Sequence, residues 1–322
     1  MKKITLGRTG IATTAAGLGA GGFSRLGLEK HGEDHAAGIV RRAFDLGVRF
    51  FDTAAVYGTE TAVGNGLRDF ARDSYVISTK LPLKDNWREN PARRFTETLD
   101  ASLRALNMDY IDIYNLHGVL PEDYADARDL LVPEMIKAKK AGKIQFLGIT
   151  EAFEDDTAHK MLDTALEDDI FDVIMVGYNM MNPSAAKTVF PRAIRNNIGV
   201  LCMFAVRQAL HDPAKMKTDI IKILQNNQGG PGLEADERAL DFLTGPDKSG
   251  APAAASIMDA AYRFCAHNDG VHVVLTGTGS PAHLEDNLRS IDSGALPPDI
   301  LERLDRLFGL SDCVCGQEKN WW

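Results

Sequence analysis

Val48-Arg49-Phe50-Phe51-Asp52-Thr53-Ala54-Ala55-Val56-Tyr57-Gly58 reads as a short apolar strand that ends on a carboxylate, with a phenol in the loop that follows. Apolar, β-branched runs of this kind recur at residues 15–20, 75–80, 110–116, 144–149, 172–177, 200–204 and 271–276, making eight with 48–52. Between them lie segments whose apolar residues repeat at three and four, at 33–46, 92–106, 132–140 and 157–166, the period of amphipathic helices. Eight alternating strand and helix units predict a (β/α)8 TIM barrel, and the absence of any other repeat or low-complexity tract predicts a single domain over 1–322.

Two segments depart from the unit. Residues 2–6 and 11–16 flank the turn-rich Gly7-Arg8-Thr9-Gly10 and predict an N-terminal hairpin over the barrel floor. The long interval 207–251 carries Gln228-Gly-Gly-Pro-Gly232 and Gly245-Pro-Asp-Lys-Ser-Gly250, and reads as a partly helical loop after the seventh strand. In a barrel that position faces the catalytic mouth, so this loop is expected to act as a lid.

The chain has 322 residues, 44% of them apolar, and a formal net charge of −9. Acidic balance without a basic cluster disfavours nucleic acid as a partner. No apolar run reaches the roughly 18 residues of a membrane span. Four cysteines, Cys202, Cys265, Cys313 and Cys315, are too few for a disulfide scaffold, and the opening MKKITLGRTG has no apolar stretch, so a cytoplasmic location is expected.

Several motifs have chemical look-alikes. Gly17-Leu-Gly-Ala-Gly-Gly22 satisfies the dinucleotide pattern G-x-G-x-x-G, but Phe23-Ser-Arg-Leu-Gly27 follows where a helix would have to begin. His31-Gly-Glu-Asp-His35 displaces the glutamate of a zinc-protease motif by one position and reads as a solvated helix start. Cys313-Val-Cys315 lacks a second ligand pair, so no metal is expected. The acidic runs 154–156 and 167–169 read as solvated faces around a helix.

Four polar residues carry the functional argument. Asp52 ends the second strand, Tyr57 follows it, Lys80 ends the third strand in Val76-Ile77-Ser78-Thr79-Lys80, and His117 ends the fourth in Ile113-Tyr114-Asn115-Leu116-His117. Barrel enzymes place catalysts at these carboxyl ends. Carbonyl reduction needs an acid for the oxygen as hydride reaches carbon, and a free phenol of pKa ~10 is weak at neutral pH. Lys80 is expected to lower that pKa, Asp52 to keep the ammonium charged, and His117 to hold the carbonyl oxygen.

These residues resemble the aldo-keto reductases. Asp52-Thr-Ala-x-x-Tyr57-Gly58 is similar to the family signature, with Lys80 and His117 at the matching strand ends. Thr276-Gly277-Thr278-Gly279-Ser280-Pro281 and the following residues to Leu288 are similar to the segment that holds the adenosine phosphate half of the cofactor. By its own chemistry this is a Gly-rich loop with Ser280 as helix N-cap and Pro281 at the first turn, which points N–H groups at an anion. The resemblance implies an NAD(P)H-dependent oxidoreductase that interconverts an aldehyde or ketone with an alcohol, or else a cofactor-binding regulatory subunit with little turnover.

The same resemblance places cofactor contacts at Thr150, Glu151, Met175, Phe204, Gly277, Thr278, Gly279, Ser280, His283, Asp286 and Asn287. Several of them depart from the family pattern. Thr150-Glu151 stands for a Ser-Asn pair, Met175 for a Gln, Met203 or Phe204 for the tyrosine that stacks on nicotinamide, and Gly277 and His283 for the Lys and Arg that clasp a 2′-phosphate. NADP(H) is favoured and NAD(H) possible on these residues. Asn287 would contact the adenine.

Overall fold

The structure is a computed structural model that describes all residues except 84–85, 247–249, 251 and 318–322. The sequence-based readings of Trp321 and Trp322 and of the end of segment 207–251 fall outside the described residues. Among the described residues ten strands form two sheets. β1 (Lys3–Thr5) and β2 (Ala12–Thr14) make the expected antiparallel hairpin, with Lys3 opposite Thr14. β3 (Ala16–Gly19), β4 (Phe50–Asp52), β5 (Val76–Pro82), β6 (Ile111–Val119), β7 (Ile144–Glu151), β8 (Val173–Gly177), β9 (Gly199–Met203) and β10 (Val273–Thr276) close into a parallel barrel in that order, β10 pairing with β3.

Strand period two sorts the side chains into layers. Phe50, Val76, Ile113, Val173, Leu201 and Val273 point inward and pack into one apolar plug with Leu6, which the hairpin delivers from below. Two residues further along the same inward rows come Asp52, Ser78 and Asn115, and two further still Lys80 and His117. The barrel is therefore apolar at its floor and ionisable at its mouth. The alternate rows, such as Phe51, Ile77, Tyr114, Ile174 and Val200, face outward and meet the helices.

Element ends differ from the pattern in ways that have local causes. β6 continues to Val119 through an irregularity between Leu116 and Val119, so His117 sits within a strand rather than at its end. The helix expected from 132 starts earlier, at Tyr124–Lys140, because Pro133 is accommodated inside it. The helix expected from 157 is Lys160–Asp168. Asp156 sets that start by accepting from Lys160 N at 3.0 Å and Met161 N at 2.8 Å, and it is buried rather than part of a solvated acidic face.

Segment 207–251 is partly helical, as its pattern predicts. It carries the helices Gln208–His211 and Pro213–Gln225. Met216, Ile220, Ile223, Leu233, Leu240 and Leu243 are buried in a second core shared with Ile300, Leu304 and Leu307 of the helix Pro298–Phe308. Among the described residues of this segment, only Arg207, Gln208 and His211 line the cavity at the barrel mouth. The described part of the expected lid is thus mostly packed into that second core. No helix among the described residues is long and apolar enough to cross a membrane.

Candidate active site

A cavity of about 1010 Å³ opens at the carboxyl ends of the strands and runs from Asp52, Tyr57 and His117 to Gly277, His283 and Asn287. The register builds its reactive end. Asp52 is the Cα partner of Ser78 across β4 and β5, and Lys80 follows on the same face. The Asp52 carboxylate therefore receives Ser78 Oγ at 2.8 Å on Oδ1 and Lys80 Nζ at 2.6 Å on Oδ2. Lys80 also donates to the Thr53 carbonyl at 2.6 Å. Asn115, opposite Lys80, donates to Ser78 Oγ and to the Thr79 carbonyl, each at 3.0 Å. Ser78 and Asn115 are structural partners that the strand pattern carried in plain view, as polar residues inside apolar runs.

Lys80 is wholly buried, and burial draws its pKa down, while the Asp52 carboxylate and its hydrogen bond oppose that. Asp52 is pushed up by burial and held down by Lys80 and Ser78. Tyr57 projects from the loop after β4, with its hydroxyl 3.2 Å from His117 Nε2 and its ring centroid 5.1 Å from Lys80 Nζ. Gly21 lets the ring lie there, since a Cβ at that position would stand 2.6 Å from Tyr57 Cε2.

One expectation is corrected here. Enclosure pushes the Tyr57 phenol well above its ordinary range, Asp52 adds to the rise and Arg207 opposes it, so the net shift is upward rather than the expected lowering. Arg207 was missed from sequence: an arginine at the start of a polar segment carries no signal until the fold brings it to the mouth.

The cofactor-side residues divide. Thr150, Glu151, Met175, Phe204, Gly277, Thr278, His283, Asp286 and Asn287 all line the one cavity, whereas Gly279 and Ser280 shape the turn behind it. Thr150 Oγ1 accepts from Gly118 N at 2.7 Å. Glu151 is buried, accepting from His159 Nδ1 and, at 2.7 Å, from Gly177 N. Phe204 holds a left-handed φ of 64°, with Phe153 edge-on at 5.4 Å. Met203 ends β9 and faces the cavity beside it. Thr278 Oγ1 accepts from Ser280 N at 3.1 Å, Ser280 Oγ caps the helix Pro281–Asp292 at His283 N, Asp286 pairs with Arg289 at 2.7 Å, and Asn287 donates to Thr276 Oγ1 at 2.9 Å.

The glycine loop is tightly roofed. A Cβ at Gly277 would stand 2.5 Å from the Gly19 carbonyl, and one at Gly279 would stand 2.7 Å from Gly27 N. His35, read as part of a solvated helix start, instead bonds through Nε2 to the Gly279 carbonyl at 2.8 Å. Gly17 and Gly19 lie in β3 of the barrel, which removes the alternative dinucleotide turn.

The Aldo/keto reductase family model matches residues 16–308. The chain belongs to this family. An L-galactose dehydrogenase of Arabidopsis thaliana is 34% identical over 150 residues, 45% of this chain and 47% of that protein, so the match spans about half of that relative's length. The Bacillus subtilis aldo-keto reductase YhdN is 25% identical over 302 residues, 88% of this aldo/keto reductase and 87% of its own length. Among solved structures, an aldo/keto reductase from Klebsiella pneumoniae in complex with NADP and acetate superposes with a TM-score of 0.68 at 22% identity, covering 99% of this chain and 98% of that one. The holo form of a Bacillus halodurans aldo-keto reductase reaches 0.69 at 20% identity, covering 99% of each. These two likenesses concern the barrel.

Proposed function

We propose that this aldo/keto reductase interconverts a carbonyl compound and an alcohol, using NADP(H) in preference to NAD(H). The observation that carries the reading is the Tyr57 hydroxyl at 3.2 Å from His117 Nε2, in one continuous cavity with the glycine loop. That cavity fits a dinucleotide: it joins the phenol to Gly277, Thr278 and the capped helix start, where an anionic phosphate finds N–H groups. When bound, the nicotinamide cofactor supplies or takes the hydride.

The protein's own part is proton transfer and positioning. Tyr57 stays a protonated phenol at neutral pH, so it suits donation to a carbonyl oxygen. His117 shares the hydrogen bond that fixes the hydroxyl and lies where it can hold the same oxygen. The Asp52–Lys80 pair forms the rigid wall behind the phenol. Glu151, Met175 and Phe204 would surround the nicotinamide end. Gly277, Thr278, His283 and Asn287 would hold the adenosine end, presented by the turn of Gly279 and Ser280. Without Lys or Arg at 277 and 283, the preference for the 2′-phosphate is modest.

The pocket wall at Phe23, Leu83, Leu120 and Met258 adds apolar surface for a small-molecule substrate. Four free thiols among the described residues support a cytoplasmic setting. Consumption of NADPH with a panel of aldehydes tests the reading. Turnover above background that is lost in Tyr57→Phe is expected. Tight NADPH binding with no turnover of any carbonyl would instead mark a cofactor-binding regulatory protein.

A further inference from the structure

Two buried ion pairs stand at the mouth of the barrel, and both turn the same pole to the cavity. Asp52 and Glu151 line it, whereas their partners Lys80 and His159 have no exposure and do not. The contacts are close, 2.6 Å from Lys80 Nζ to Asp52 and 2.9 Å from His159 Nδ1 to Glu151. The wall therefore shows carboxylate oxygen, and the balancing cations lie behind it.

Asp52 belongs to the proton-transfer centre around Tyr57, but Glu151 has no part in it. It ends β7, with its Cα partnered to Val119, two residues past His117, and shares the cavity wall with Met175, Met203, Phe153 and Phe204. Only 2% of it is exposed, Gly177 N donates to Oε1 at 2.7 Å, and the His159 ring stacks on Phe153 at 5.4 Å between centroids. Asp156, buried close enough to act on both members of the pair, adds a second carboxylate nearby. A charge held rigidly among apolar side chains is weakly screened and acts strongly on any charge placed beside it.

Carbonyl reduction takes a hydride to carbon and the Tyr57 proton to oxygen, and it leaves a positive charge on the nicotinamide ring. Resting on the oxidoreductase reading above, which sets that ring at this end of the cavity, we propose that Glu151 is a specificity-determining residue for cofactor redox state: its carboxylate makes this enzyme bind the oxidised, cationic nicotinamide in preference to the reduced, neutral one. Only an interaction that differs between two states shifts the balance between them, and the ring charge is what differs here. The adenosine and phosphates are common to both forms, so the glycine loop favours neither. His159 balances the pair from farther off, which leaves the nearer carboxylate to dominate at the ring. Arg207, with its guanidinium carbon 3.8 Å from the Phe204 centroid, is an opposing cation on this wall. A charge near the ring of this sign draws the bound couple toward alcohol and oxidised cofactor.

The test measures dissociation constants of NADP+ and NADPH, and of NAD+ and NADH, by titration calorimetry in wild type and Glu151→Gln, with urea midpoints alongside. Glutamine preserves the network: its Oε1 can accept from Gly177 N while its Nε2 donates to Nδ1 of a neutral His159. Arg207 is common to both proteins and cancels from the comparison. Wild type is expected to hold NADP+ more tightly than NADPH, and Glu151→Gln to weaken NADP+ by about tenfold while leaving NADPH nearly unchanged. A ratio unchanged in Glu151→Gln overturns the assignment, whether both forms bind as before or lose equally, since equal losses would make Glu151 an uncharged hydrogen-bond partner only. Wild type that binds NADPH more tightly than NADP+ also overturns it, and that result needs no variant to fold. Wild type that binds none of the four nucleotides overturns the oxidoreductase reading and this assignment with it.

Discussion

Both oxygens of the Glu151 carboxylate meet Nδ1 of His159, at 3.0 and 2.9 Å, with neither side chain exposed to solvent. The surrounding bonds fix the proton count. Asn182 Nδ2 donates to the carbonyls of Thr157 and Val314, so its Oδ1 accepts, and Ser184 Oγ donates to it at 2.6 Å. Ser184 must then receive from His159 Nε2 at 2.9 Å, leaving one proton between Nδ1 and the carboxylate. Glu151 holds the His159 imidazole toward its charged form, against the pull of burial.

Breaking this pair should be costly. His159→Leu leaves a buried carboxylate without its partner and is expected to destabilise the fold by about 3–5 kcal/mol. Glu151→Gln, which keeps a hydrogen-bonding group beside Nδ1, should cost less. Urea unfolding midpoints of the two variants check the order; equal losses would mean that the charge on Glu151 is not what His159 supports.

Tyr57 makes a prediction with a definite pH direction. Carbonyl reduction uses the phenol and alcohol oxidation the phenolate, and burial beside Asp52 raises the phenol above its ordinary value near 10. Oxidation should therefore climb about tenfold per pH unit from pH 8 to pH 10 without levelling, while reduction shows no loss attributable to Tyr57 over the same range. Tyr57→Phe should lower kcat at least about a hundredfold in both directions and leave NADPH affinity nearly unchanged. A plateau in oxidation near pH 8 would show that another group lowers the phenol's pKa.

Gly21 tests positioning. In Gly21→Ala the new methyl would stand 2.6 Å from Tyr57 Cε2, so the ring must shift to admit it. A misplacement of this size at a reacting group is expected to cost roughly tenfold to a hundredfold in kcat, with little change in the urea midpoint. Wild-type kcat in this variant would show that the Tyr57 ring has room to shift without loss.

Hydrogen exchange separates a packed segment from a moving one. The helix Pro213–Gln225 buries Met216, Ile220 and Ile223 against the C-terminal helix, so its amides should be protected with or without cofactor. Cofactor-dependent protection is expected only around Arg207–His211, where the segment meets the cavity. Fast exchange of Pro213–Gln225 that slows when NADPH is added would restore the lid reading.

The sequence by itself determined the architecture and the reactive end of the site. Barrel strands are short and apolar, their period is two, and helices between them repeat at three and four, so local pattern suffices to find eight units. Asp52, Tyr57, Lys80 and His117 were legible because each sits next to the strand it depends on, and the strand ends converge by topology. What pattern could not supply were contacts made across long separations. Lys80 looked like a charge that would bring the Tyr57 pKa down, but enclosure, together with the Asp52 carboxylate that the β4–β5 register places against the ammonium, leaves the phenol raised. Glu151 read as an odd cofactor contact until the αL turn at His159 brought an imidazole against it. The run 207–251 read as a partly helical lid because its apolar residues find partners in elements remote in sequence, among them the helix Pro298–Phe308. In each case the deciding quantity was the distance between residues remote in sequence, and packing in three dimensions sets that distance.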